Sequence, residues 1–218
     1  MKSRIDPRLI PPAPDLALEM SIWAAGISSI AGIDEAGRGA LAGPVVAAAL
    51  ILPPDPPRLR ELQGMMDSKQ LTPGQRMDWL EKIRRIATAW GVGFASHAEI
   101  DQQGIIAATR LAAQRSLEKC GKEAEHLLLD YLFLPDNQIP QTNLIKGDER
   151  SLSIAGASIL AKITRDEKLV ALDADFPGYQ FARHKGYATS QHLAALDERG
   201  PSPVHRCSFA PVRERLQS

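Results

Sequence analysis

This chain of 218 residues is poor in the features that mark several common protein classes. It has only two cysteines, Cys120 and Cys207, in neither a CxxC pair nor a zinc-binding His/Cys spacing. Two unpaired thiols in a reducing compartment are the expectation, without a disulfide framework or a thiolate metal site. An excess of one charge is missing too, with 26 Lys plus Arg against 26 Asp plus Glu. That balance argues against a surface that binds nucleic acid everywhere. It permits an acidic pocket beside a basic groove, since a ligand responds to the local field. No hydrophobic run is long enough to span a bilayer; the longest, residues 45–52, is strand-sized. Residues 1–28 carry Arg4, Asp6, Arg8, Asp15, Glu19 and four prolines, which is unlike a signal peptide. A GxxxxGK[ST] phosphate loop is also missing, which removes a kinase-like reading of the glycine motif described below. The expectation is a soluble, cytoplasmic protein with no membrane partner.

What is present is ample for a globular α/β fold. Apolar residues make up 44% of the chain, enough for a full core, and the length fits one domain with a terminal extension. Residues 1–28 read as an N-terminal arm. Pro11, Pro12 and Pro14 deny it regular structure, although residues 16–25 could make a short helix. Residues 29–218 then form one domain. Residues 29–33 predict a buried strand running into Asp34 and Glu35, and residues 45–52 its antiparallel partner across a short glycine-rich link. Thr72-Pro73 starts a helix to about residue 89, and 90–96 is a third strand. Residues 105–119 predict a second helix, 126–132 a buried strand carrying Asp130, and 143–146 a short extended segment. A long helix follows over 149–173 and another over 189–199. Strands and helices joined by hairpin and crossover links define an α/β class with a mixed sheet flanked by helices.

The chemistry concentrates in acids at element ends. Asp34 and Glu35 close a very apolar strand and lead into Gly37-Arg38-Gly39. The plain alternative is a surface turn with Arg38 as salt-bridge partner. The flanking glycines instead offer a backbone that can approach a ligand without β-carbon obstruction. Asp130 ends a strand, a common position for a catalytic group in α/β proteins, or an ordinary loop entrance. Asp148 follows Lys146-Gly147 and precedes a helix, so it can serve as an N-cap, a metal ligand, or both. A set of carboxylates without His or Cys selects hard cations such as Mg²⁺ or Mn²⁺, and such sites catalyse in-line phosphoryl transfer. One geometric difficulty is visible at once. Adjacent strand residues face opposite ways, so Asp34 and Glu35 can share a site only if the chain bends or Glu35 contributes indirectly.

Residues 31–39 (AGIDEAGRG) and 41–49 (LAGPVVAAA) closely resemble the opening signature of the ribonuclease HII family. Further motifs recur in order: Asp67-Ser68-Lys69-Gln70-Leu71, Asp130, Lys146-Gly147-Asp148, residues 157–162 with Arg165-Asp166, residues 184–189, and His205-Arg206 with Ser208-Phe209 and Pro211-Val212. The resemblance covers about residues 29–215. It implies a ribonuclease H-like fold with a C-terminal helical part. It also implies a metal-dependent endoribonuclease acting on RNA–DNA hybrids and on duplex DNA containing ribonucleotides, as a monomer. By the same resemblance Asp34, Glu35, Asp130 and Asp148 form the metal centre, with Mn²⁺ or Mg²⁺ as cofactor. Gly37, Arg38 and Gly39 resemble the loop that touches the 2′-hydroxyl, the group that separates RNA from DNA. Tyr187 matches the tyrosine that packs on the neighbouring sugar; without the family match it reads as a core aromatic. Ser68, Lys69 and Lys146 are expected at phosphates, or on a solvated surface. Arg183, His184 and Lys185 are expected to add to a basic face, Asp166 to form a structural ion pair, and His205-Arg206 to be structural. Ala36 and Arg38 stand where the related type 3 enzymes carry serine and lysine, which favours type 2. The competing reading from another class is a non-catalytic hybrid-binding module; all four acids being present weighs against it.

Overall fold

The apolar segment that ends in Asp34 and Glu35 forms the middle strand of the sheet. In a computed structural model of the chain, which describes residue 6 and residues 10–216, β1 (Ile30–Ala36) runs antiparallel to β2 (Val45–Ile51). Strand β2 pairs antiparallel with β3 (Ala89–Ala95). On the other side β1 runs parallel to β4 (His126–Asp130), and β4 parallel to β5 (Gln141–Leu144). The order β3-β2-β1-β4-β5 is the mixed sheet that the sequence predicts.

Both faces of this sheet are covered, which is why β2 is apolar without interruption. Ala31, Ile33, Ala47 and Ala49 pack with Ala108 and Ala112 of α3 (His97–Lys119). Ala48 and Leu50 pack with Leu80 and Ile83 of α2 (Pro73–Ile86) and with Ala155 and Ile159 of α4 (Leu152–Asp175). Helix α4 can lie close against β1 because position 32 is glycine: a β-carbon there would land on the Ser153 backbone.

Helix starts follow their capping chemistry. Thr72 and Gln75 form a reciprocal capping box at α2, as Thr72-Pro73 predicts. Helix α3 starts at a second box, Ser96 with Glu99, eight residues before the predicted position. Gly104 (φ 81°, ψ 159°) interrupts its helical backbone, so the regular apolar pattern begins only after the kink. The N-cap of α4 is Ser151, whose hydroxyl accepts from the Ile154 N–H. Asp148 sits one turn earlier, in a 3-10 turn over Gly147–Glu149, so the capping role open to it falls to Ser151.

Within residues 1–28, Ala17–Ala24 forms helix α1; the parts of the arm at 1–5 and 7–9 lie outside the described residues. Just ahead of α1, the Asp15 carbonyl accepts from the Leu152 N–H (2.9 Å). From α1, the buried Glu19 carboxylate accepts from both hydroxyls of Ser151 and Ser153. At the other end, α5 (Phe181–His184), α6 (Ser190–Arg199) and α7 (Ala210–Leu216) surround a small core of Leu41, Leu169, Tyr179, Phe181, Leu196 and Val212. Among the described residues no helix is long and apolar enough to cross a membrane.

Candidate functional site

Strand register brings the first two acids together. The parallel ladder of β1 and β4 ends at Ile33 opposite Leu129, so Asp34 and Asp130 are the next in-register pair. Side chains at such positions leave the sheet on the same face, about 4.8 Å apart in strand spacing. Asp34 is 5% exposed. Burial, followed by the charges of Glu35, Asp130 and Asp148, pushes its carboxyl well above the usual range. Burial and Asp148 likewise raise Asp130 to about 7, against the opposing effect of the Gly147 N–H that donates to its Oδ1 (2.7 Å).

The other two acids reach the same field from different elements. Lys146 adopts a left-handed backbone (φ 56°), which turns the chain out of β5 and sets Asp148, also 5% exposed, behind Asp130. Glu35 faces the α3 side by strand alternation, yet its carboxylate feels Lys69 and Asp148. Here β1 is paired with β2 alone, through Ala36, the ladder with β4 having ended at Ile33. Arg38 Nη1 donates to Glu35 Oε1 (3.0 Å), while Glu35 Oε2 is buried with no partner among the described residues. Burial raises the Glu35 carboxyl; Arg38 and Lys69 pull it back.

Lys69 is the cation nearest this field. Its Nζ lies 2.9 Å from Asp148 and 3.8 Å from Asp67, a fifth acid that is itself buried. Burial disfavours the ammonium, but Asp148, Asp67 and Asp34 outweigh it and hold the pKa above the ordinary lysine value. Among the described residues, no three His, Cys, Asp or Glu side chains already stand in a metal-ligating arrangement. The four acids are electrostatic neighbours rather than a finished cage. Their donor chemistry nonetheless fits a hard divalent cation: all oxygen, two of them deeply buried, one oxygen unpartnered.

Beside the acids lies the glycine loop, held by two arginines that the sequence reading did not assign to the site. Gly37 has φ +92°, and the Arg165 guanidinium fills the space a β-carbon would need. Arg165, fully buried, donates to the carbonyls of Pro44 (3.1 Å), Ala42 (3.2 Å) and Lys185 (3.0 Å). Arg206 donates to Gly43 (3.0 Å) and Arg38 (2.9 Å). Burial, then repulsion from Arg165, lowers the Arg206 pKa to about 9. A fixed planar fork suits this task of gathering several carbonyls at once. The available sequence signal was the arginine in each of the motifs 165–166 and 205–206.

Tyr187 is 36% exposed, with its ring centre 5.3 Å from the Arg165 guanidinium. Gly186 binds the same loop through its carbonyl, which accepts from the Leu41 N–H (2.7 Å). Gly39 is exposed and has open space where a side chain would be. Lys146 is exposed and paired with Glu149 (3.0 Å). Ser68 is buried; its N–H donates to Ser158 Oγ and its hydroxyl leans on Asp67, so the side chain faces the protein. His184 is buried rather than part of a basic face, donating from Nε2 to the Tyr179 carbonyl (2.6 Å). Asp166 pairs with Lys162 (2.8 Å), as an ion pair within α4.

A mixed sheet of this order, flanked by helices and carrying acids at the ends of its two central parallel strands, defines a nuclease of the ribonuclease H-like fold. The sequence model of the Ribonuclease HII family matches residues 31–212, and the chain belongs to that family. It is a metal-dependent endoribonuclease with ribonuclease H activity. Among curated relatives, ribonuclease HII of Synechococcus sp. (strain JA-3-3Ab) is 53% identical over 203 residues, spanning 92% of this chain and 90% of that protein. The Chloroflexus aurantiacus ribonuclease HII is 49% identical, over 94% of this chain and 97% of its own. Solved structures agree in fold. The ribonuclease H2 of Pyrococcus horikoshii OT3 aligns with TM-score 0.72 at 24% identity, covering 87% of this chain and 97% of its own. Bst-RNase HIII in complex with Mn²⁺ aligns with TM-score 0.65 at 21% identity, covering 87% and 70% respectively.

Proposed function

We propose that this protein hydrolyses the RNA strand of RNA–DNA hybrids and cuts on the 5′ side of ribonucleotides embedded in duplex DNA, leaving 3′-hydroxyl and 5′-phosphate ends. Asp34, Glu35, Asp130 and Asp148 are the residues that would hold two divalent cations, Mn²⁺ or Mg²⁺, with Asp34 the central ligand. The observation that carries this reading is the register of β1 and β4, which sets Asp34 beside Asp130 with Asp148 close enough to raise both. Bound cations supply an activated water and charge stabilisation at the leaving oxygen.

The chain's own groups supply position and recognition. Gly37-Arg38-Gly39 presents backbone to the sugar, with Gly39 open to close approach and Gly37 fixed from below by Arg165. The Tyr187 ring packs on the next sugar, where a missing 2′-hydroxyl marks the RNA-to-DNA junction. Lys69 and Lys146 hold phosphates as flexible point charges; Ser68, turned inward, positions Lys69 instead. The protein acts as a cytoplasmic monomer.

The test is a DNA duplex containing one ribonucleotide, incubated with and without Mn²⁺, using wild type and Asp34→Asn. Metal-dependent cutting 5′ to the ribonucleotide that disappears in Asp34→Asn is expected. Cutting that survives the substitution would take Asp34 out of its role.

A further inference from the structure

Two of the family motifs carry His184 and His205, but the proposed function gives no role to these or to His192, three histidines packed in the C-terminal part. His192 and His205 are essentially fully buried, and His184 nearly so. The His184 and His192 rings stack at 4.3 Å, and His192 Nε2 lies 2.9 Å from His205 Nε2. Two imidazoles meeting nitrogen to nitrogen need one donor and one acceptor, and the surrounding backbone fixes which is which.

At His205, Nδ1 accepts from the Ser202 backbone N–H (2.9 Å), a group that can only donate. Its proton is therefore on Nε2, aimed at His192. At His192, Nε2 must accept, so the proton is on Nδ1. That N–H points at the Tyr187 carbonyl (3.0 Å), which can only accept. The result is a one-way chain: Ser202 N–H to His205, His205 to His192, His192 to Tyr187. His184 adds a second tie, since its Nδ1 accepts from the Gly186 N–H (3.2 Å). The Ser202 hydroxyl also lies on His205 Nδ1 (2.8 Å), the Thr189 N–H also donates to the Tyr187 carbonyl (2.8 Å), and Phe181 closes the group with its ring edge-on to His192 (5.6 Å).

The chain ends on Tyr187, the partly exposed residue beside the glycine loop. We propose that His192, oriented by His205, is a positioning residue that fixes the Tyr187 backbone and thereby sets the enzyme's selectivity for a single embedded ribonucleotide. This inference rests on the role given to Tyr187 above. A mispositioned ring still leaves the acids and the glycine loop intact, so a continuous hybrid, which has 2′-hydroxyls on every RNA sugar, is affected less.

The two nitrogens of His192 can be removed separately. His192→Gln keeps an acceptor near the Nε2 position for His205 but loses the donor to Tyr187. His192→Asn keeps a donor near Nδ1 and loses the acceptor. The readout is the ratio of kcat/KM on a duplex with one ribonucleotide to that on a continuous RNA–DNA hybrid, alongside the thermal midpoint. Expected is a drop of about tenfold or more in this ratio for His192→Gln and for Tyr187→Ala, no further drop in the double variant, and a smaller drop in His192→Asn, which keeps the donor to Tyr187 but is no longer oriented by His205. If His192→Gln does not fold, His205→Gln, which can still donate to His192, is compared with His205→Leu; only the leucine variant should lose the ratio. A ratio that falls in Tyr187→Ala but holds in His192→Gln, or in both His205 variants, overturns the positioning role alone. A ratio unmoved in Tyr187→Ala overturns the reading of Tyr187 and this inference with it.

Discussion

The guanidinium of Arg165 occupies the space in which a β-carbon on Gly37 would have to sit. A helix residue far along the chain thus makes the glycine loop rigid from beneath, while Gly39, two positions on, has nothing within 4 Å of its own β-carbon position.

The two glycines should therefore respond differently to alanine. Gly37→Ala meets both a φ of +92° and the Arg165 side chain, and should lose about 2–4 kcal/mol of stability together with most activity. Gly39→Ala should leave the melting temperature within a degree or two while raising KM at least several-fold. Thermal melting and steady-state kinetics on one hybrid decide this. A destabilised Gly39→Ala would mean that the residue serves the fold rather than the ligand.

Asp34 should act against stability until cations arrive. Burial and three acidic neighbours disfavour its charged form, so at pH 8 in chelator Asp34→Asn should unfold at a higher temperature than wild type. With millimolar Mn²⁺ the order should reverse, because only wild type gains binding free energy on folding. Activity of the variant should fall by about a thousandfold or more. Melting curves in both conditions are the check, and an Asn variant that melts lower in chelator contradicts the electrostatic account.

Glu19 should matter as an acceptor and not as a charge. It accepts from Ser151 Oγ (2.6 Å), Ser153 N–H (3.0 Å) and Ser153 Oγ (2.7 Å), while its other oxygen has no partner among the described residues. Glu19→Ala leaves those buried donors unpaired and should cost about 2–3 kcal/mol. Glu19→Gln keeps the accepting oxygen and should be neutral or stabilising. Because burial raises the Glu19 carboxyl, the advantage of Gln should grow as pH rises and the wild-type charge forms. Urea unfolding at pH 6 and pH 8 reads both effects; equal losses in Ala and Gln would show that the charge itself is needed.

The histidine pair should make the fold acid-sensitive. Burial, followed by the neighbouring histidines, lowers His192 and His205 to about 4, below the unfolded value near 6.5. A depressed histidine binds its proton more readily when unfolded, so its stabilising contribution is complete above about pH 6.5 and is lost as pH falls toward 4. The loss should be on the order of 3 kcal/mol for each of the two histidines. Urea midpoints across that window should fall more steeply for wild type than for His192→Gln; parallel profiles would assign the acid sensitivity elsewhere.

The sequence by itself determined the sheet class and the starts of α2 and α6, and singled out the candidate acids, because apolar runs, cap residues and element-end carboxylates are local patterns. Thr72-Pro73 and Thr189 announce their helices from two or three neighbouring residues. The family motifs added which acids belong together. Tertiary structure alone decided how they meet: the pairing of Ile33 with Leu129 puts Asp34 beside Asp130, and register is a relation between strands about a hundred residues apart. It likewise gave the N-cap of α4 to Ser151, sent His184 and Ser68 inward, and recruited Arg165 and Arg206 to the glycine loop. A buried arginine or histidine looks in sequence like a surface charge; what makes it structural is the set of backbone carbonyls and amides that distant segments bring to it, since a polar group leaves water only where such partners replace the water.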